Sequence, residues 1–140
     1  MYSNILVPTD GSGSAAGAMA EALDLAEQSG ATVHVLHVID SRFYDTSIDS
    51  AVEPLRNEGE EYVEDLAAMA EDAGVDVTTA VEVGRPARRI LEYVSDNDVG
   101  LVVMGTRGRS ELSRRLLGSV TKYVVPHADV PVHVVASVDE

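Results

Sequence analysis

The sequence predicts an α/β fold: one doubly wound domain over residues 1–140, with a five-stranded parallel sheet in the order 3-2-1-4-5 and helices on both faces. Short apolar runs alternate with segments of helical periodicity along the whole chain. The fourth run, Val99 to Met104, is apolar throughout, as a central strand covered on both faces must be. No repeat, linker or low-complexity tract interrupts the alternation.

The elements follow in order. Asn4 to Thr9 reads as a short buried strand. Asp10-Gly11-Ser12-Gly13-Ser14 is turn chemistry that also offers a serine N-cap. Ala18, Ala22, Leu25 and Ala26 repeat at helical spacing from Ala15 to about Ser29, where Gly30 stops the helix. Thr32 to Ile39 is a second strand, and the polar stretch from Asp40 to Ser50 a loop. From Ala51 to Ala73 an apolar stripe through Val52, Leu55, Tyr62, Val63, Leu66, Met69 and Ala70 marks a long helix, with Pro54 in its first turn. Val75 to Val83 is a third strand, and Arg85-Pro86 opens a helix ending near Asn97. After the fourth strand come a loop from Gly105, a helix from Ser119 to Val125 and a last strand from Pro131 to Ala136. Right-handed crossovers between parallel strands put the loops at Asp10 and Gly105 face to face, where the strand order reverses.

Composition narrows the function. The chain has 45% apolar and only 4% aromatic residues, so its core is built from Val, Leu, Ala and Ile. The absence of cysteine excludes disulfides and thiolate metal sites. No apolar run approaches the roughly 20 residues that span a bilayer, and Met1-Tyr2-Ser3-Asn4 has no basic signal-like region, so a cytoplasmic protein without a membrane partner is expected. A net charge of −14 with a single lysine, Lys122, argues against nucleic acid as a partner. The charge is uneven: residues 1–84 carry two basic and seventeen acidic side chains, residues 85–140 eight and seven. Arg107, Arg109, Arg114 and Arg115 fall within nine residues, which points to a loop that meets an anion or to a solvated charge run.

That loop reads Met104-Gly105-Thr106-Arg107-Gly108-Arg109-Ser110 and ends in Gly118-Ser119-Val120-Thr121. Glycine admits a ligand close to the backbone, successive N–H groups form an anion nest, and the following helix turns its positive end to the same place. Gly105, two residues, Gly108, nine residues, then Gly118-Ser119 resembles the ATP-binding motif of the universal stress protein family. Val7-Pro8-Thr9-Asp10-Gly11-Ser12, Val83-Gly84-Arg85-Pro86 and Val130-Pro131-Val132 resemble that family's opening loop, helix entry and final strand. The resemblance implies ATP as ligand, with or without Mg²⁺. Gly105, Gly108, Gly118 and Ser119 would hold phosphates, with the Val120 amide and Thr121 nearby. Met104 would lie beside the nucleotide, Val38 would meet adenine with its backbone, and Pro8, Thr9 and Asp10 would close the site. Asp10 would approach ribose, phosphate or the metal, and Arg107 and Arg109 would supply positive charge. A homodimer through the last strand, Val132 to Ala136, is also implied, and an exposed apolar edge strand invites such pairing.

Other readings compete. Gly11-Ser12-Gly13-Ser14-Ala15-Ala16-Gly17 imitates a dinucleotide fingerprint, with Asp40 where a ribose-binding acid would sit. Asp10, however, places a carboxylate where a pyrophosphate should lie. Asp10 also has a plain structural reading, as a cap of the first helix. No Gly-Lys-Ser/Thr loop occurs, and no acidic pair of a phospho-receiver. His34 and His37 stand three apart on one strand and face opposite sides, so they cannot share a metal. The expected function is a regulator of stress response that binds ATP; the alternative is a slow Mg²⁺-dependent ATPase relying on Asp10.

Overall fold

The computed structural model describes residues 2–43, 49–106 and 118–136. Nine elements alternate along the chain: β1 (Asn4–Pro8), α1 (Gly13–Ser29), β2 (Thr32–Asp40), α2 (Asp49–Asp72), β3 (Val77–Gly84), α3 (Pro86–Asp96), β4 (Leu101–Gly105), α4 (Ser119–His127) and β5 (Val132–Val135). Every strand pairs parallel to its neighbours, in the order β3-β2-β1-β4-β5. The expected architecture and strand order are therefore present.

Alternation along the strands builds two cores. Ile5, Val7, Val33, Val35, Leu101 and Val103 point to one face, under Ala18, Met19 and Ala22 of α1 and Val63, Leu66 and Ala70 of α2. Leu6, Leu36, Val38, Val102 and Met104 point to the other, under Ile90, Tyr93 and Val94 of α3 and Val124 of α4. α1 meets the sheet mainly through alanines, Ala15, Ala18, Ala22 and Ala26, and both layers are mostly aliphatic. Among the described residues no helix is long and apolar enough to cross a membrane.

Element ends differ from the sequence expectation by a few residues, each for a local reason. α1 starts at Gly13, behind Ser12 at the N-cap position; Ser12 makes no side-chain cap bond, because its Oγ lies 3.1 Å from Oγ of Ser14. Gly30 does end the helix, in the left-handed region, with its N–H on the Ala26 carbonyl. α2 starts at Asp49, so Pro54 sits beyond the first turn rather than in it. There its ring removes the bond an N–H would make to the Ser50 carbonyl. β4 starts at Leu101 rather than Val99, since the Val99 N–H closes back on Val94 of α3. β5 is shorter at both ends than Pro131 to Ala136.

On the α3 face β2 carries a buried histidine. His34 lies between Asn4 Oδ1, 2.9 Å from Nε2, and Tyr93 Oη, 2.7 Å from Nδ1. The amide oxygen only accepts, so Nε2–H donates to it and the Tyr93 hydroxyl donates to Nδ1: a satisfied neutral ring. Burial holds its pKa below the ordinary value. The unfolded chain then binds the extra proton first, so the stability contributed by neutral His34 is complete above about pH 6.5 and is lost as pH falls through the lowered folded value. Wild type should thus lose melting temperature relative to His34→Gln between about pH 7.5 and about pH 5; a constant difference across that range would contradict it.

Candidate functional site

The strand order reverses between β1 and β4, and a cleft of about 580 Å³ opens there, beyond the C-terminal ends of β1, β2 and β4. Doubly wound sheets bind ligands at this position. Pro8, Thr9, Asp10, Val38, Met104, Gly105, Gly118, Ser119, Val120 and Thr121 all line it, so ten of the sequence-derived site residues come together. Arg107, Gly108 and Arg109 lie outside the described residues, as do Arg114 and Arg115.

The β1–α1 turn is held from several sides. Thr9 is buried; its N–H donates to the Leu36 carbonyl at 2.8 Å, and its Oγ1 accepts the Gly11 N–H at 3.0 Å. Asp10 Oδ1 accepts the Ser12 N–H at 3.0 Å, so the carboxylate braces the turn and is not the N-cap of α1. Gly11 adopts φ +87°, and a side chain there would collide with the Tyr62 ring of α2.

The β4–α4 side is built around Gly105. Its carbonyl accepts Thr121 Oγ1–H at 2.9 Å, an internal bond for a hydroxyl that is almost wholly buried. The Gly118 N–H donates to the Thr106 carbonyl, and the Thr106 N–H to Val135 at 3.1 Å. These bonds bring the two ends of the long loop together and tie them to β5. Gly118 is the N-cap of α4, so the first-turn N–H groups of Ser119, Val120 and Thr121 and the positive helix end face the cleft.

β2 supplies the opposite wall. β1 ends at Pro8, paired with Leu36, while β2 runs on to Asp40 beside β3. The Leu36 carbonyl faces β1, and by alternation so do the N–H and C=O of Val38, on the side β1 has vacated. A donor and an acceptor thus stand side by side above an apolar floor that includes Leu36, Ile90 and Met104.

Sequence reasoning missed several lining residues. Leu36 and Ile90 were legible only as core positions, and Tyr62 as part of the α2 stripe. His37 was noted for its strand face alone; its Nδ1 donates to the Thr9 carbonyl at 2.9 Å. Asp40 and Arg42 form a rim ion pair through two bonds of 2.9 and 2.6 Å, and Arg42 lies over Phe43, 5.3 Å from the ring centroid. The Arg42 side chain holds the Asp40 carboxyl below its ordinary range, with smaller help from Arg85. A carboxylate so engaged is poorly placed to take a ribose hydroxyl, which weakens the dinucleotide reading. Among the described residues no cluster of three His, Asp or Glu side chains is arranged to hold a metal.

Known proteins similar to this chain in sequence or in structure are numerous. The model of the universal stress protein family matches residues 1–136. Universal stress protein MJ0531 of Methanocaldococcus jannaschii is 37% identical over 140 residues, covering 96% of this chain and 82% of the relative. The solved structure of MJ0577, a universal stress protein from the same organism, superposes with a TM-score of 0.86 at 33% identity, covering 100% of this chain and 99% of the other. A universal stress protein solved in complex with cAMP superposes with a TM-score of 0.78 at 25% identity, covering 97% and 99%.

Proposed function

The chain belongs to the universal stress protein family, and on that premise we propose that it is a cytoplasmic regulator of stress response whose action depends on binding ATP in the β1–β4 cleft. One observation carries the reading: the Gly105 turn and the N-terminus of α4 converge on one end of a cleft whose other wall presents the backbone donor and acceptor of Val38. Phosphate oxygens suit the first, because the backbone N–H groups of a helix's first turn and the helix dipole favour negative charge. Adenine suits the second, because its N6–H₂ donates and its N1 accepts, matching the C=O and N–H of one residue. Arg107, Gly108 and Arg109 complete the phosphate end in this reading. The relative bound to cAMP supports an adenine nucleotide as the ligand class.

Mg²⁺ would be held by Asp10 together with phosphate oxygens. The residues present fit that role: one carboxylate near a phosphate site is what this ion commonly uses, since it keeps several waters. Bound there, the metal would supply charge neutralisation for the phosphates. The chain's own part is to hold the carboxylate in place, through Ser12 and the buried Thr9.

Guanine presents the reverse edge, an acceptor at O6 and a donor at N1, so acceptor would meet acceptor at Val38. Titration calorimetry should show ATP binding and GTP at least about tenfold weaker, the loss of one well-placed hydrogen bond. Failure to bind any adenine nucleotide would overturn the reading.

The protein is further proposed to act as a homodimer. β5 ends the sheet, its valines are half-buried, and Tyr123 and Val125 of α4 are exposed large apolar side chains. Antiparallel pairing of β5 with a second copy would cover that edge. Light scattering is expected to give a dimer at micromolar concentration; a monomeric mass would refute it.

A further inference from the structure

β1 and β2 form a parallel ladder in which alternate residues of each strand bond to the other. The Thr9 N–H still follows it, donating to Leu36. One step further, the ladder would have the Thr9 carbonyl accept the Val38 N–H. Instead that carbonyl accepts Nδ1–H of His37 at 2.9 Å. Among the described residues, the backbone bonds at this turn include none from Val38 to Thr9. A carbonyl only accepts, so the His37 proton sits on Nδ1, and the tautomer is set by this contact.

The ring has little freedom to do anything else. Tyr62 of α2 meets it edge-on, with centroids 5.2 Å apart and planes at 79°. Gly59 of α2 also lies against it: a Cβ there would stand 2.7 Å from His37 Cδ2. Gly11 makes room for Tyr62 in turn, since its Cβ would stand 2.6 Å from that ring. Two rings are thus seated between two glycines, one of them in the β1–α1 turn itself.

We propose that His37 is a positioning residue for base recognition: its Nδ1–H draws the Thr9 carbonyl toward α2, ends β1 there, and leaves the Val38 N–H as a donor in the cleft. The ligand in this statement rests on the adenine-nucleotide reading above; the geometry rests on the hydrogen bond. A purely structural His37 would satisfy a buried carbonyl and nothing more. Its loss would then weaken the fold and every ligand alike. A positioning His37 acts on the base and not on the phosphates, because the phosphate end is built from β4 and α4.

The test compares wild type, His37→Leu and His37→Asn, with ATP and with inorganic tripolyphosphate as probes. Asparagine carries an N–H donor close to the place of Nδ1, and leucine has none. His37→Leu should bind ATP about tenfold more weakly and tripolyphosphate as wild type does, while His37→Asn recovers most of the ATP affinity. Without ligand, the Val38 amide should exchange its hydrogen fast in wild type and in His37→Asn. It should exchange slowly in His37→Leu, where the Thr9 carbonyl returns to the ladder. Unchanged ATP affinity in His37→Leu, equal losses for both probes, no rescue by asparagine, or slow Val38 exchange in wild type would each overturn the proposal. Were wild type to bind neither probe, the nucleotide reading would fall, and the exchange measurement alone would decide the role of His37.

Discussion

Replacing Gly105 by valine is expected to abolish nucleotide binding, by about a hundredfold or more, and to destabilise the fold by about 3 kcal/mol. A Cβ at this position would stand 2.7 Å from Ser14 Oγ, 2.8 Å from Ser14 Cβ and 3.2 Å from the Ser14 carbonyl oxygen. The hydroxyl can rotate away, but the Cβ and the carbonyl belong to the first turn of α1. That helix is anchored by Ala15, Ala18, Met19, Ala22, Leu23 and Ala26, all buried, so it cannot retreat without opening a core. The end of β4 must move instead. Its movement breaks the Thr121 hydroxyl bond to the Gly105 carbonyl and shifts the N-terminus of α4 that the phosphates would face. Alanine should do the same on a smaller scale. Pairing Gly105→Ala with Ser14→Gly removes the two closest contacts and should recover part of both losses, a coupling that distant sites do not show. Urea unfolding and calorimetry with ATP measure the two effects; wild-type affinity in Gly105→Val would contradict the argument.

Much of this geometry was legible in the sequence, for reasons that can be stated residue by residue. Val99 to Met104 is an apolar run of strand length that closes on Gly105, which suits a strand buried on both faces. Gly105 and Gly118-Ser119 stood out because a turn next to a strand end and a helix start each demand particular residues. The ends of elements were less legible, since they depend on competing partners. Ser12 occupies the N-cap position of α1, but its hydroxyl is turned to Ser14 while Asp10 takes its N–H. α2 begins earlier than its apolar stripe, which left Pro54 misplaced by a turn. The α2 side of the cleft was not legible at all. Tyr62 and Leu55 read as ordinary stripe residues, and only the packing of α2 on β2 turns them toward the cleft. The same holds for His37, whose partner is a backbone carbonyl with no sequence signature.

Placing valine at position 59 is expected to destabilise the protein by about 2–3 kcal/mol, although it removes a glycine from the middle of a helix. Helix propensity argues the other way: glycine is about 1 kcal/mol worse than alanine in a helix interior, and valine recovers part of that. Contact decides against propensity. The new Cβ would meet His37 Cδ2 at 2.7 Å and Val81 Cγ1 at 3.0 Å, so even alanine presses on β2 and β3 at once. His37 cannot swing aside cheaply, because its Nδ1–H is held by the Thr9 carbonyl and Tyr62 closes on its ring. The overpacking term of about 1–3 kcal/mol therefore exceeds the gain in propensity, and alanine should show a smaller loss of the same sign. Gly13 provides the contrast: a Cβ there meets nothing within 4 Å, so Gly13→Ala should be neutral or slightly stabilising. Urea unfolding of the three variants separates the terms, and a Gly59→Ala protein more stable than wild type would show that propensity wins. Because the strain falls on His37, ATP affinity should fall with stability at position 59 and remain unchanged at position 13.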